Sequence, residues 1–203
     1  MDLSRYPIPA GRCRVEEVIL RSRFISAAGP ASTPEEARAF IGEIRAEFAD
    51  ASHNCYAFLV GQPGSSAQVG MSDDGEPSGT AGRPMLAVLM GSGVGDIVAV
   101  VSRYWGGTKL GTGGLVRAYA GGVKALLREL PLLEKVTRKD ILASGPYHWI
   151  KPVARLLPAF EATVSELSYA ADVEWRISVP DDRATALGAA LRELSHTEIE
   201  VVL

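Results

Sequence analysis

Cysteine is scarce in this sequence: Cys13 and Cys55 are the only two in 203 residues. Two isolated thiols make neither a disulfide framework nor a metal-ligand spacing, so reduced thiols and a cytoplasmic location are the expectation. Long apolar runs are missing too. The strongly apolar stretch Ile97 to Val101 is far shorter than the roughly 20 residues of a membrane-spanning helix. The opening, Met1-Asp2-Leu3-Ser4-Arg5-Tyr6-Pro7, lacks a basic start followed by an apolar run, and no secretory signal is expected. Net charge is small, −3 from 21 basic and 24 acidic residues. The chain as a whole is therefore no polyanion binder, and any nucleic-acid footprint must be a local patch.

What remains is ordinary globular material, enough for one large domain or two small ones. Residues 13–20 and 22–28 alternate as strands. Thr33-Pro34-Glu35-Glu36 starts a helix: Thr33 can cap, Pro34 suits the first helical position and the glutamates favour the positive end of the dipole. Ala37, Phe40, Ile41, Ile44 and Phe48 then recur at helical spacing. A strand follows at 54–61, a short helix at 82–90, a buried strand at 96–104 and a long helix at about 113–130. Pro131 closes that helix and marks a boundary, giving domains 1–132 and 133–203. The second part reads strand 135–144, helix 146–158, strands 162–169 and 172–179, helix 181–194, strand 196–203. That order, βαββαβ, is the ferredoxin-like pattern, and the predicted class is α+β.

Two dense glycine-rich polar segments carry the chemistry. The first runs from Ser72 to Pro84 (Ser-Asp-Asp-Gly-Glu-Pro-Ser-Gly-Thr-Ala-Gly-Arg-Pro), the second from Ser102 to Tyr119. In the second, strand, glycine-rich turn and helix succeed one another, the arrangement in which free amides at a helix N-terminus hold an anion. Arg83, Arg103, Lys109 and Arg117, with Gly111, Gly113 and Gly114, form the candidate phosphate or nucleic-acid site. The glycine and lysine spacing fits neither the P-loop nor the dinucleotide fingerprint. Tight packing of a structural turn is the competing reading. Tyr104 and Trp105 can stack on bases, or else close the core at the strand end.

Asp73, Asp74 and Glu76 supply oxygen ligands suited to a hard cation, yet the calcium-loop pattern is absent. The alternative is a solvated turn or pairing with Arg83 and Arg103. His53 and Cys55 share one face of a strand, which permits a nucleophile pair or simply a buried thiol beside a hydrogen-bonded histidine. No oxyanion donors can be assigned around either cluster, so a non-enzymatic protein without cofactor is favoured. A metal-dependent phosphate or nucleotide enzyme and a protein-interaction module are the alternatives.

The segments Ser52-His53-Asn54-Cys55-Tyr56-Ala57, Ser72 to Pro84 and Ser102 to Tyr119, with Ser22 to Ile25, resemble the signature of the bacterial IMPACT (YigZ-like) family along essentially the whole chain. Trp105 stands where that family more often has phenylalanine. The resemblance implies an N-terminal domain like domain 2 of ribosomal protein S5 and a C-terminal ferredoxin-like domain. That tandem is similar to the last two domains of elongation factor G. RNA or ribosome contact, translation regulation and a protein partner on the C-terminal sheet are the functional expectations. Eukaryotic relatives regulate translation through a stress-kinase pathway. No catalytic residues transfer.

Overall fold

The computed structural model describes residues 4–202. They fall into two compact units, one of residues 6–135 and one of residues 136–202 with residues 4 and 5. Both mix helices with antiparallel sheet, so the chain is α+β.

The first unit opens with β1 (Arg5–Pro9), β2 (Cys13–Ile19), β3 (Ser22–Pro30) and α1 (Pro34–Glu47). It continues with β4 (His53–Leu59), β5 (Val69–Ser72), α2 (Gly82–Met90), β6 (Ile97–Tyr104), α3 (Gly111–Glu129) and β7 (Leu132–Val136). Five strands form one sheet in the order β2-β3-β6-β4-β5, every neighbouring pair antiparallel, while β1 pairs with β7. Helix α1 begins as its sequence predicts. The Thr33 hydroxyl accepts from the Glu36 amide at 3.2 Å, and the Glu36 carboxylate accepts from the Ser32 amide at 2.7 Å. The first bond satisfies an amide that the first turn leaves orphaned, and the second ties Glu36 to the residue before the cap.

Helices cover both faces of the sheet, which explains the unbroken apolar run in β6. Ile97, Ala99 and Val101 join the core under α2 and α3, whereas Val98 and Val100 join the core under α1. A strand buried on both faces has no reason to alternate. Strand β5 is not legible in the sequence, because Val69-Gly70-Met71-Ser72 is only four residues long and its burial does not alternate.

The second unit holds β8 (Arg138–Gly145), α4 (Ile150–Leu156), β9 (Thr163–Tyr169), β10 (Val173–Pro180), α5 (Ala184–Leu194) and β11 (Glu200–Val202). Its antiparallel sheet runs β11-β8-β10-β9. Ile141, Trp175, Ile177, Leu187 and Leu191 are fully buried in its core. The expected strand 135–144 is really two. Residues 132–136 pair with β1, and pairing with β10 starts only at Arg138. The expected helix 146–158 is shorter, with 3-10 turns at Tyr147–Trp149 and Leu157–Phe160. Pro152 and Pro158 each lack the amide that would have tied a longer α-helix together. Among the described residues no helix is long and apolar enough to cross a membrane.

Candidate nucleic-acid interface

Strand β6 delivers Arg103, Tyr104 and Trp105 to one end of the sheet, and the chain must then turn sharply to start α3. Gly106 makes this exit passable: a Cβ there would lie 1.9 Å from the carbonyl oxygen of Arg21. Gly111 begins α3 at φ +71°, a conformation that costs glycine almost nothing. Among the described residues no side chain caps α3, so its first-turn amides, from Gly111 through Gly113 and Gly114, carry the positive end of a 19-residue helix. An open cleft of about 350 Å³ lies at this helix end, bordered by His53, Pro77, Trp105, Lys109, Gly111 and Thr112.

Beneath it sits a buried ion pair. The Arg103 guanidinium donates to Glu76 Oε1 at 2.6 Å, with side-chain exposures of 7% and 3%. Tyr119 donates to the same oxygen at 2.7 Å, and Ser22 Oγ accepts from Arg103 Nη2 at 3.3 Å. Burial pushes the Tyr119 phenol far above its usual range, so it remains a donor. Arg103 also lies 5.5 Å above the Phe24 ring, and Phe24 meets Tyr119 edge-on. The charge of Arg103 is thus neutralised internally. Its role is to fix the floor of the cleft.

Loop 72–80 is organised by its carboxylates. Asp73 accepts from the amides of Gly79, Ala81 and Gly82 at 2.8, 2.9 and 2.8 Å, and so closes the start of α2. Burial opposes its charge, but these three amides outweigh burial and hold the carboxyl below its ordinary value. Asp74 instead takes Arg45 at 2.7 Å and the Asn54 amide at 2.6 Å. Asp73, Asp74 and Glu76 therefore serve three different sets of partners. No group of three or more His, Cys, Asp or Glu among the described residues is arranged to hold a metal ion. His53 Nδ1 meets the Asp74 carbonyl at 2.8 Å and Cys55 Sγ donates to the Asp73 carbonyl at 3.0 Å. Burial pushes the Cys55 thiol up to about 12, which removes it as a nucleophile near neutral pH.

The two aromatics part company. Tyr104 donates to Asp50 at 2.6 Å and lies under the Arg23 guanidinium, away from the cleft. Trp105 borders the cleft and is 59% exposed. Of the four predicted cations, Arg83, Lys109 and Arg117 are exposed and have no carboxylate partner among the described residues, while Arg103 is buried and paired.

Two further cations belong with them. Lys124 and Arg128 are exposed, likewise without a carboxylate partner, and border a shallow apolar groove between α2 and α3. Arg117, Lys124 and Arg128 stand at i, i+7 and i+11, hence on one stripe of α3. The sequence held this signal. Between Glu76 and Glu129 the one acidic residue is Asp96, which is buried, bonded to the Gly61 amide at 2.7 Å and paired with Lys135. The basic pattern of the glycine turn thus continues down the helix to Arg128.

The sequence of this unit matches the Impact N-terminal domain over residues 20–127, and a domain of unknown function, DUF1949, matches residues 146–196. Along its length the chain is 43% identical to IMPACT family member YigZ of Escherichia coli, covering 96% of each chain. The chain belongs to the IMPACT family. It is also 36% identical to IMPACT family member YvyE of Bacillus subtilis, covering 92% of this chain and 85% of that one. A solved crystal structure, described only as that of a hypothetical protein, superimposes with a TM-score of 0.71 at 42% identity. It covers 98% of this chain and 96% of the other. In this IMPACT-family protein the Impact N-terminal match takes in the whole cleft and the α3 stripe as far as Lys124.

Proposed function

We propose that this chain is a non-enzymatic RNA-binding protein of the cytoplasm that regulates translation through contact with RNA or the ribosome. The observation that carries the reading is the unpaired basic surface of α2 and α3: Arg83, Lys109, Arg117, Lys124 and Arg128, with no exposed acid from residue 77 to residue 128. A surface that leaves all its cations unneutralised is suited to a polyanion. Phosphates would lie along the α3 stripe and end at its uncapped N-terminus, where Lys109 and the first-turn amides meet a phosphoryl group. Trp105 offers a stacking platform for an unpaired base beside that point.

The finer fold assignment is part of the same proposal. The strand order β11-β8-β10-β9 with two crossing helices supports a ferredoxin-like second domain. The mixed first unit, with its glycine-rich strand–helix junction, supports a fold like domain 2 of ribosomal protein S5. The pair then resembles the last two domains of elongation factor G, and that analogy favours a ribosomal or RNA partner.

Titrating the full chain with a fluorescent oligouridylate over a salt series tests the reading. Four contacts from Lys109, Arg117, Lys124 and Arg128 would give a log–log salt slope of about −2.8 on single-stranded RNA. Each alanine replacement should make that slope shallower by about 0.7. A parent slope near zero, or variants that remain folded and bind like the parent, would refute it.

A further inference from the structure

The open face of the second unit's sheet has a chemistry opposite to that of the α2–α3 surface. Core residues Ile141, Ala143, Trp175 and Ile177 point to the helices, so the alternate residues face outward. The strand registers define two rows across this outer face. Glu174 and Glu200 flank Ser144 in one row; Arg176 and Val202 flank Leu142 in the next. On the outer side of Arg176 stands Glu166, which accepts from it at 3.0 Å and neutralises it. Glu174 and Glu200 have no cationic partner among the described residues. Leu142 and Val202 beside them are 48% and 66% exposed. Together these rows border a groove of about 290 Å³.

We propose that this face docks a basic segment of a protein partner, one in which lysine or arginine alternates with apolar residues. Glu174 and Glu200 sit two strand spacings apart, about 10 Å between their backbones. A cationic head above Ser144 is then within reach of both carboxylates. The aliphatic stem of the same side chain, or the apolar residue next to it, covers Leu142 and Val202, which otherwise stay in water. The surplus of carboxylate decides between classes of partner. It repels RNA and anionic lipid surfaces and attracts a basic peptide. This inference stands independently of the RNA reading.

The test uses the full chain and three labelled peptides: alternating lysine and leucine, alternating lysine and serine, and alternating glutamate and leucine, each eight residues long. The lysine–leucine peptide should bind, the lysine–serine peptide at least five-fold more weakly, and the glutamate–leucine peptide not at all. Amide shifts in the protein should centre on Leu142, Ser144, Glu174 and Glu200. The double variant Glu174→Gln, Glu200→Gln keeps side-chain size at exposed positions, and its thermal midpoint should match the parent. It should weaken the lysine–leucine peptide at least ten-fold, and Leu142→Ser should weaken it about three-fold with the salt dependence unchanged. Equal binding by parent and double variant would overturn the proposal. So would amide shifts on α5 or outside this unit, or an oligouridylate that perturbs this face when the peptide does not.

Discussion

The two faces of the five-stranded sheet treat arginine in opposite ways. On the α1 side, Arg12, Arg14, Arg23, Arg38 and Arg45 are paired with Glu43, Glu47, Glu16, Glu35 and Asp74, at 2.6 to 2.9 Å. On the α2–α3 side Arg83, Lys109, Arg117, Lys124 and Arg128 have no carboxylate partner among the described residues, and the paired Arg103 is buried. Folding alone does not need this asymmetry, since exposed ion pairs contribute little to stability. It amounts to one face whose field cancels locally and another whose field reaches into solvent. Net charge over the whole chain, −3, conceals this, because it sums paired and free charges of every surface alike.

The largest expected effect lies under the basic face. Removing one partner of the Arg103–Glu76 pair leaves the other charge buried and uncompensated. Glu76→Ala should therefore cost about 3–5 kcal/mol in a denaturant titration. Glu35→Ala, which breaks an exposed i,i+3 pair on the opposite face, should leave the denaturation midpoint nearly unchanged. Similar losses at both positions would erase the distinction between the faces.

Next in size is binding. Replacing Lys109, Arg117, Lys124 and Arg128 together with alanine should weaken oligouridylate by about 100-fold or more at 0.1 M salt, and remove most of the salt slope. Replacing Arg12, Arg14 and Arg38 on the opposite face should change binding less than about three-fold, since those charges are already neutralised. Equal losses from both sets would mean that total charge, not the face, governs binding. Trp105→Ala sharpens the comparison further. Stacking predicts a loss of roughly 1–3 kcal/mol in binding with the slope unaltered.

The smallest effect concerns the loop that shapes the cleft. The Asp73 carboxyl is held below its ordinary value in the folded chain, so its capping bonds stabilise the fold above the unfolded value, near pH 4. That stabilisation is lost as pH falls through the lower folded value. At pH 7, Asp73→Asn should lower stability by about 1 kcal/mol, and the gap between parent and variant should close steadily below about pH 4. A gap that is constant with pH would show that the carboxylate's charge plays no part.

Much of the molecule follows from local sequence. The cap at Thr33, the double-faced burial of β6 and the run of α3 to its stop before Pro131 each depend on a few neighbouring residues, and periodicity reveals them. The basic stripe of α3 was also written in the sequence, as cations seven and eleven positions beyond Arg117 and an almost acid-free stretch around them. Tertiary structure alone decided which charges remain available. Arg103 and Lys109 are six residues apart and look equivalent in the sequence, yet one is buried against Glu76 and Tyr119 while the other stands in water. Asp73 and Asp74 are adjacent, yet one closes α2 and the other takes Arg45 and the Asn54 amide. Sequence spacing fixes the face on which a side chain emerges. The partner it meets there comes from a distant part of the chain, and that partner decides whether its charge is cancelled or left free.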